Sequence, residues 1–311
     1  EILYLFYLLF VMVIILLLII ILLILYLIKN RERFNNNIKL YCNHYKFKSD
    51  EEYLNRTIEF NKNGYMKNKL SSETKNNKWK IKTNLKENKD ILLYLKPLKK
   101  FMNHPLKKVI PFSDDKKYKY LISVVVMFRY EDDYLDEWLN YYIMNGITHF
   151  YMYSNENNKK TTDILKPYID NGYITLIEWN DENHCEKYNK REDGNWNNFG
   201  QISLQNCAFI DFNKKYKHET KWVIKVDIDE FIYNKNKFIL LKNILKNTEE
   251  KFLKIPRIDF GNNGYKKKPL GLIIENYTRS DKNATSSKSI IQTQYISKDD
   301  KGRAHTFLYS L

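Results

Sequence analysis

The chain has 311 residues, of which 43% are hydrophobic and 15% aromatic. This composition excludes a disordered protein and allows one substantial globular domain. The formal net charge is +15, but Lys, Asn, Ile and Tyr are abundant along the whole chain and no nucleic-acid-binding motif accompanies the charge. We therefore expect no nucleic-acid partner.

The N-terminal end is strongly apolar. Residues 2–28 carry no charged side chain, and this run is longer than the roughly 20 residues needed to span a bilayer. It has no small-residue cleavage site, so it predicts a transmembrane signal anchor over residues 1–29. The basic residues that follow favour a cytosolic domain, whereas three Asn-X-Thr sequons favour a lumenal one. The orientation therefore stays open at this point; the residues concerned are Lys29, Arg31, Arg33, Asn55, Asn276 and Asn283.

Residues 30–118 are rich in Lys and Asn and contain only short apolar islands. They predict a stem or linker with some ordered pieces, followed by a domain from residue 119 to 311. Truncation of that domain at its C-terminus is left open. The three cysteines form no C-x-x-C pair, which argues against a structural zinc site. Cys185 and Cys207 are either a disulfide pair or two separate buried thiols, and the second reading is favoured.

Strands and helices alternate from residue 120 onwards. The run YLISVVVMF (120–128) predicts a strand buried on both faces. In DDYLDEWLNYYIMNG the apolar residues fall at helical spacing, and Gly146 marks a stop. Further strands are predicted at 148–154, 173–179 and 221–229, with helices between them. This order predicts an α/β fold with a mostly parallel, doubly wound sheet.

Three acids, Asp227, Asp229 and Glu230, come at the carboxyl end of the last of these strands. Open α/β sheets bind ligands at that edge. On an extended segment Asp227 and Asp229 would point to the same side. Two carboxylates suit Mg²⁺ or Mn²⁺, because these ions are commonly bound by one or two protein carboxylates together with substrate phosphates. A hairpin turn is the weaker explanation of the acids, because crossovers join the preceding strands.

Ordered sequence blocks between Tyr120 and Phe307 resemble glycosyltransferase family 92. They include YLDEWLNYYIMNGITHFYMYSN, ILKPYIDNGYITLIEW, QISLQNCAFIDF, WVIKVDIDEFIY, SKSII and the final AHTF. The resemblance implies a GT-A fold and inverting transfer of a sugar from a UDP-sugar to a glycan acceptor. Galactose is the leading candidate for the transferred sugar. It also implies a Golgi or ER membrane protein of type II topology, whose catalytic domain is lumenal.

The resemblance also implies roles for individual residues. Asp227 and Asp229 would hold Mn²⁺ (or Mg²⁺) and the donor diphosphate, and His305 would complete the metal site. Lys288 would contact donor phosphate, with an exposed surface lysine as an equal alternative. Glu131 would contact ribose or base. The family usually has Lys-Asn-Glu where this chain has Arg-Tyr-Glu at 129–131, so the choice of donor stays open.

Inverting transfer needs a general base beside the acceptor hydroxyl. Asp259 and Glu275 are the candidates, and Glu275 is favoured. Glu230 is expected to orient the strand end or bind acceptor, and Trp196 to stack on sugar. The main alternative function is a catalytically inactive, membrane-tethered GT-A-like binding or scaffold protein. A basic protein of the membrane surface is a poorer alternative.

Overall fold

The computed structural model describes residues 12–22, 39–45, 48–52, 85–110, 117–156, 159–179, 204–284, 286–298, 300 and 307–308. The chain divides into two compact units, Glu1–Lys39 and Leu40–Leu311. In the first unit residues 12–22 are helical, and their side chains are exposed. Within the described ranges, no helix has the length and apolar character that crossing a membrane requires. Much of the anchor predicted at residues 2–28 lies outside those ranges.

The second unit is built on an eight-stranded sheet in the order β5-β4-β3-β6-β10-β8-β1-β7, beside a two-stranded sheet of β2 and β9. The strands are β1 (Leu40–His44), β2 (Lys86–Glu87), β3 (Tyr120–Phe128), β4 (His149–Ser154), β5 (Ile174–Glu178), β6 (Thr220–Lys225), β7 (Glu230–Asn234), β8 (Phe252–Asp259), β9 (Arg279–Ser280) and β10 (Ser286–Gln292).

The large sheet is mostly parallel, as predicted. Strands β5, β4, β3 and β6 are neighbours and all run in parallel. Strand β10 is antiparallel to both β6 and β8. Strand β1 then pairs in parallel with β8 and antiparallel with β7. The four parallel strands are the ones that were predicted from apolar runs alternating with helical patterns.

Helices cover both faces of the sheet and divide its core into two layers. They are α1 (Leu95–Met102), α2 (Asp132–Met144), α3 (Lys159–Asp170), α4 (Leu204–Lys215), α5 (Leu241–Asn247) and α6 (Ile273–Asn276). Val124 and Val126 of β3 pack in one buried cluster with Trp138 of α2. Val125 packs in the other cluster with Phe209 of α4. Because successive strand residues face opposite sides and both sides are covered, β3 is apolar except for the buried Ser123.

The helix predicted after β3 is confirmed as α2. It begins at Asp132, where acidic side chains favour a helix N-terminus. It ends at Met144, and Gly146 then adopts a φ of 90°, a left-handed value that glycine reaches without a Cβ clash. The stop that the sequence predicts at Gly146 is thus present.

Ordered pieces of the predicted stem belong to the same compact unit as the sheet. Strand β1 lies inside the sheet, where His44 is the cross-strand partner of Glu230 on one side and of Asp259 on the other. The residues that follow β1 also dock on the unit, since Asp50 accepts a hydrogen bond from the side chain of Asn262. The compact unit therefore starts at Leu40.

The prediction that the strand continues to Asp229, with Asp227 and Asp229 on an extended segment, is wrong. Strand β6 ends at Lys225, and the segment from Asp227 to Glu230 is a tight turn, closed by the Glu230 amide donating to the Asp227 carbonyl at 3.0 Å. The turn is not a hairpin, because β10, β8 and β1 lie between β6 and β7 in the sheet. Ile228, inside this turn, is buried.

The favoured interpretation of the cysteines is also wrong. Cys207, buried on α4, is disulfide-bonded, whereas Cys42 on β1 is a buried free thiol. Spacing along the chain carries no information on cysteine pairing, because pairing depends on how the fold brings the residues together.

Candidate active site

The turn between β6 and β7 gathers four carboxylates and three basic groups at one edge of the sheet. The carboxylates belong to Asp227, Asp229, Glu230 and Asp259, and the basic groups to His44, Arg257 and Lys288. The sheet order explains the gathering, since β1, β8 and β10 lie side by side and each contributes one basic residue. The acids thus have counter-charges built into the fold.

Asp227 is the more open of the two turn aspartates, with 31% of its side chain exposed. Its Oδ2 lies 3.0 Å from Lys288 Nζ, and its Oδ1 accepts a hydrogen bond from Gln205 Nε2 at 3.2 Å. Its backbone amide donates to Glu230 Oε2 at 2.9 Å. The carboxylate is therefore oriented from two sides while one part of it faces solvent.

Glu230 and Lys288 form a completely buried ion pair beneath the turn, 2.6 Å apart. Burial raises the pKa of Glu230 to about 7, although Lys288 opposes the rise. Burial lowers the pKa of Lys288, but the charges of Asp227 and Glu230 outweigh that effect, so its pKa lies above the ordinary value. Lys288 is thus a permanent cation next to Asp227. The alternative of an exposed surface lysine is wrong, and the predicted contact with donor phosphate stays a prediction.

Asp229 and Asp259 face the two different nitrogens of the His44 ring. The Nδ1 of His44 lies 2.8 Å from Asp259 Oδ1, and its Nε2 lies 3.7 Å from Asp229 Oδ1. Arg257 Nε is 3.5 Å from the same Asp259 oxygen. Burial lowers the pKa of His44, but Asp229 and the hydrogen bond to Asp259 raise it by more, so the net shift is upward. The two acids therefore stabilise the protonated ring by more than burial destabilises it.

The Asp227 and Asp229 side chains do not share their described contacts. Asp227 contacts Lys288 and Gln205, whereas Asp229 lies beside His44. Within the described ranges, no group of three or more His, Cys, Asp or Glu side chains could hold a metal ion. Two carboxylates nevertheless fit Mg²⁺ or Mn²⁺ chemically, because these ions often take one or two protein carboxylates and complete their shell with phosphates and water.

The other predicted donor residue, Glu131, lies directly before α2 at the carboxyl end of β3. It is buried, and its Oε2 lies 3.0 Å from Lys48 Nζ, which also sits 3.5 Å above the ring of Tyr134. The preceding residue, Tyr130, has a φ of 55°, a left-handed conformation that is uncommon outside glycine. Arg129 Nη2 donates to the Tyr130 hydroxyl at 2.8 Å. This loop is therefore shaped by its own unusual residues, and its role in donor contact stays a prediction.

Glu275, the favoured general base, lies elsewhere in the described structure. It is on the short helix α6, and its Oε1 pairs with Lys99 Nζ of α1 at 2.6 Å in an exposed position. Of the two candidate bases, the fold thus brings Asp259, and not Glu275, to the acids of the turn. His305 and Trp196 lie outside the described residues, so their predicted roles stay predictions.

Sequence reasoning missed His44, Lys48, Arg257 and Gln205. His44 and Lys48 lie in the stretch that composition assigns to a stem, 183 and 179 positions before Asp227. Only strand pairing places His44 at the site, whereas Lys48 follows β1 and reaches Glu131. No local pattern marks a strand there, because the apolar and polar residues of LYCNHY (40–45) do not alternate.

A family model, "Glycosyltransferase family 92", matches residues 118–298, which is more than half of the chain. Among solved structures, the chain is similar to the mannosyltransferase PcManGT from Pyrobaculum calidifontis in complex with GDP-Man and Mn²⁺. That match has 18% identity and a TM-score of 0.23, and it covers 45% of this chain and 35% of the mannosyltransferase chain. No curated protein matches the chain.

Proposed function

The chain belongs to glycosyltransferase family 92, and on that premise we propose that it transfers a sugar from a nucleotide-sugar donor to a glycan hydroxyl. The donor is a UDP-sugar, with galactose the first sugar to test, and transfer inverts the anomeric carbon. One observation carries the proposal. The Asp227 carboxylate is open to solvent at the edge of the sheet and is held there by a buried lysine.

Asp227 and Asp229 would hold the divalent cation and, through it, the diphosphate of the donor. A bound Mn²⁺ or Mg²⁺ supplies Lewis-acid stabilisation of the negative charge that develops on the leaving diphosphate. Lys288 keeps the Asp227 carboxylate oriented and adds a fixed positive charge beneath the turn. In water-poor surroundings such a preorganised charge stabilises a developing anion more strongly than it would in water.

Asp259 is the general base. Its side chain is 19% exposed and belongs to the acid cluster, whereas Glu275 is engaged by Lys99 away from it. In the transfer step, the acceptor oxygen forms a bond to the anomeric carbon as the bond to the diphosphate oxygen breaks. The diphosphate leaves with the electron pair, and the hydroxyl proton passes to the Asp259 carboxylate.

The catalytic unit faces an oxidising lumen and is tethered by the apolar run at residues 2–28. The disulfide at Cys207 supports this placement, because disulfides persist in oxidising compartments and are rare in the cytosol. The measurement is protease protection of the full chain in intact microsomes. Protection that is lost only on adding detergent is the expected result, and digestion without detergent contradicts a lumenal position.

The function is tested with the full-length protein in a thermal-shift screen of UDP, GDP and CMP, each with and without Mn²⁺. We expect UDP to stabilise the protein only when Mn²⁺ is present, and hydrolysis of UDP-galactose to follow the same requirement. Asp229→Ala should abolish both effects. The matched control is Asp170→Ala, which removes an exposed acid paired with Lys166 at the surface and should change neither.

The outcomes separate the candidate functions. Metal-dependent nucleotide binding without any turnover over a panel of glycan acceptors would indicate the inactive binding protein instead. Stabilisation by UDP that does not depend on Mn²⁺, or that survives Asp229→Ala, would contradict the metal role of the turn.

A further inference from the structure

Strand β1 lies outside the residues 118–298 that match the family model, yet it delivers a side chain to the site. His44 is its last residue and is only 7% exposed. Its two ring nitrogens face two different acids, Asp259 at 2.8 Å and Asp229 at 3.7 Å. One acid ends β8, and the other belongs to the turn before β7.

The backbone of β1 supports the same arrangement. The amide of Tyr45 donates to the Asp229 carbonyl at 2.9 Å, and the amide of Phe260 donates to the His44 carbonyl at 2.9 Å. The strand is therefore tied directly to the turn and to the end of β8. These two bonds fix the backbone of His44 between the two acids that its ring faces.

An ordinary core role does not explain this histidine. Cys42, two residues earlier on the same face of β1, is fully buried and belongs to the hydrophobic core. A polar ring in such a position loses solvation unless it forms hydrogen bonds. Both of its described partners are acids of the candidate site, which is the arrangement of a residue that orients functional carboxylates.

We propose that His44 is a positioning residue for both halves of the reaction. Through Nε2 it orients Asp229, which holds the donor, and through Nδ1 it orients Asp259, which receives the proton of the acceptor. The active site thus extends into the N-terminal segment beyond the family-matched region. This inference rests on the proposed function.

The test uses two substitutions that each keep one side of the ring. In His44→Asn, the side-chain amide can replace Nδ1 and keep the bond to Asp259. In His44→Gln, the longer amide can replace Nε2 and keep the contact with Asp229. Tyr41→Phe, a mild change at a partly buried position of the same strand, is the control. All are made in the full-length protein, and their melting temperatures are compared first.

The two variants should fail in different ways. His44→Asn should weaken binding of UDP with MnCl₂, measured by thermal shift, by about 10-fold or more while kcat changes little. His44→Gln should keep that binding and lose about 10-fold or more in kcat. Tyr41→Phe should match the wild type in both measurements.

A role limited to folding predicts another pattern. Both substitutions would then lower the melting temperature and reduce binding and kcat in parallel, or would change neither, and either result overturns the inference. Tighter binding of UDP and Mn²⁺ by His44→Asn overturns it as well. If the wild type itself shows no metal-dependent UDP binding, the proposed function has failed. That result is distinct from one in which the wild type binds UDP with Mn²⁺ but the two variants show the same defects.

Discussion

At the scale of single residues, His149 shows how burial sets a charge state. Its ring stacks on Tyr120 with the centroids 4.1 Å apart. Its Nδ1 lies 3.1 Å from the Gly172 carbonyl, and its Nε2 lies 2.8 Å from the Thr175 hydroxyl. Burial lowers the pKa of His149 to about 4. The neutral ring satisfies both contacts, with one nitrogen donating and the other accepting.

This histidine should make the protein sensitive to acid. The unfolded chain binds a proton near the ordinary histidine pKa while the folded chain does not, so stability falls as the pH drops from about 6.5 towards 4. We expect His149 to lower the free energy of unfolding by about 2 kcal/mol between pH 8 and pH 5. Urea unfolding at both pH values measures this, and in His149→Gln that part of the difference should disappear. An unchanged difference in the variant would rule out the assignment.

The buried pair of Lys288 and Glu230 supports a second prediction. Lys288→Met leaves the Glu230 carboxylate buried without its nearest counter-charge, so it should lower the free energy of unfolding by about 3–5 kcal/mol. Adding Glu230→Gln should restore part of that loss, because the amide carries no charge. Chemical denaturation of the two single variants and the double variant measures their coupling. Strictly additive losses would show that the two groups do not interact.

The site residues differ in how visible they are in the sequence. Asp227 and Asp229 are marked by their position directly after an apolar run, and the pattern places them correctly at the edge of the sheet. Their counter-charges are not marked, because a lysine or histidine in a short strand resembles any other polar residue of the pattern. Asp259 became the stronger candidate base only when strand pairing placed it beside His44.

At the scale of elements, β1 is the strand that joins the two sides of the site. It pairs with β8 through residues Cys42 to His44 and with β7 along its whole length. Without it, β7 and β8 would both be left with unpaired backbone groups at an open edge. Strand β1 is thus a structural requirement for the half of the sheet that carries Asp259 and Glu230.

A truncation experiment tests this requirement. A fragment of residues 39–311 should show a single cooperative thermal transition by circular dichroism. A fragment of residues 119–311 should lack that transition and bind the dye ANS, because the uncovered strands expose apolar surface. Equal melting temperatures for the two fragments would show that β1 is dispensable.

Most elements of the parallel half were predictable because each is a continuous apolar run or an amphipathic helix. The end of β6 was not, since KWVIKVDID continues to alternate after the chain has turned. The pattern of side chains is the same whether Ile228 is buried by an extended strand or by a turn. Strand β1 was hidden for another reason, because a five-residue strand inside a Lys- and Asn-rich stretch leaves only a weak pattern.

At the scale of the whole molecule, the sheet of the compact unit is covered on both faces. The disulfide-bonded cysteine lies on α4, in the core layer that this helix covers. Cys207 is fully buried there beside Phe209 and Phe212. Disulfides stabilise mainly by restricting the unfolded chain. Their contribution is therefore expected to appear as global stability and not as a local change at the active site.

Reduction should therefore lower the stability of the whole unit. Dithiothreitol or the substitution Cys207→Ser should reduce the free energy of unfolding by about 2–4 kcal/mol. Differential scanning calorimetry with and without the reductant measures the loss. The reductant should have no further effect on Cys207→Ser, and Cys42→Ser should keep the wild-type response. A wild type that melts at the same temperature in both buffers would contradict the prediction.

The pairing of β1 also has a consequence for biosynthesis. His44 leaves the ribosome before its hydrogen-bonded partner Asp259, which is made 215 residues later. Contacts between such distant residues form slowly, because a long loop must close before they contribute any stability. During translation the early strand therefore has to stay unpaired until β7 and β8 emerge. Chaperone dependence of the nascent polypeptide should be concentrated in that interval.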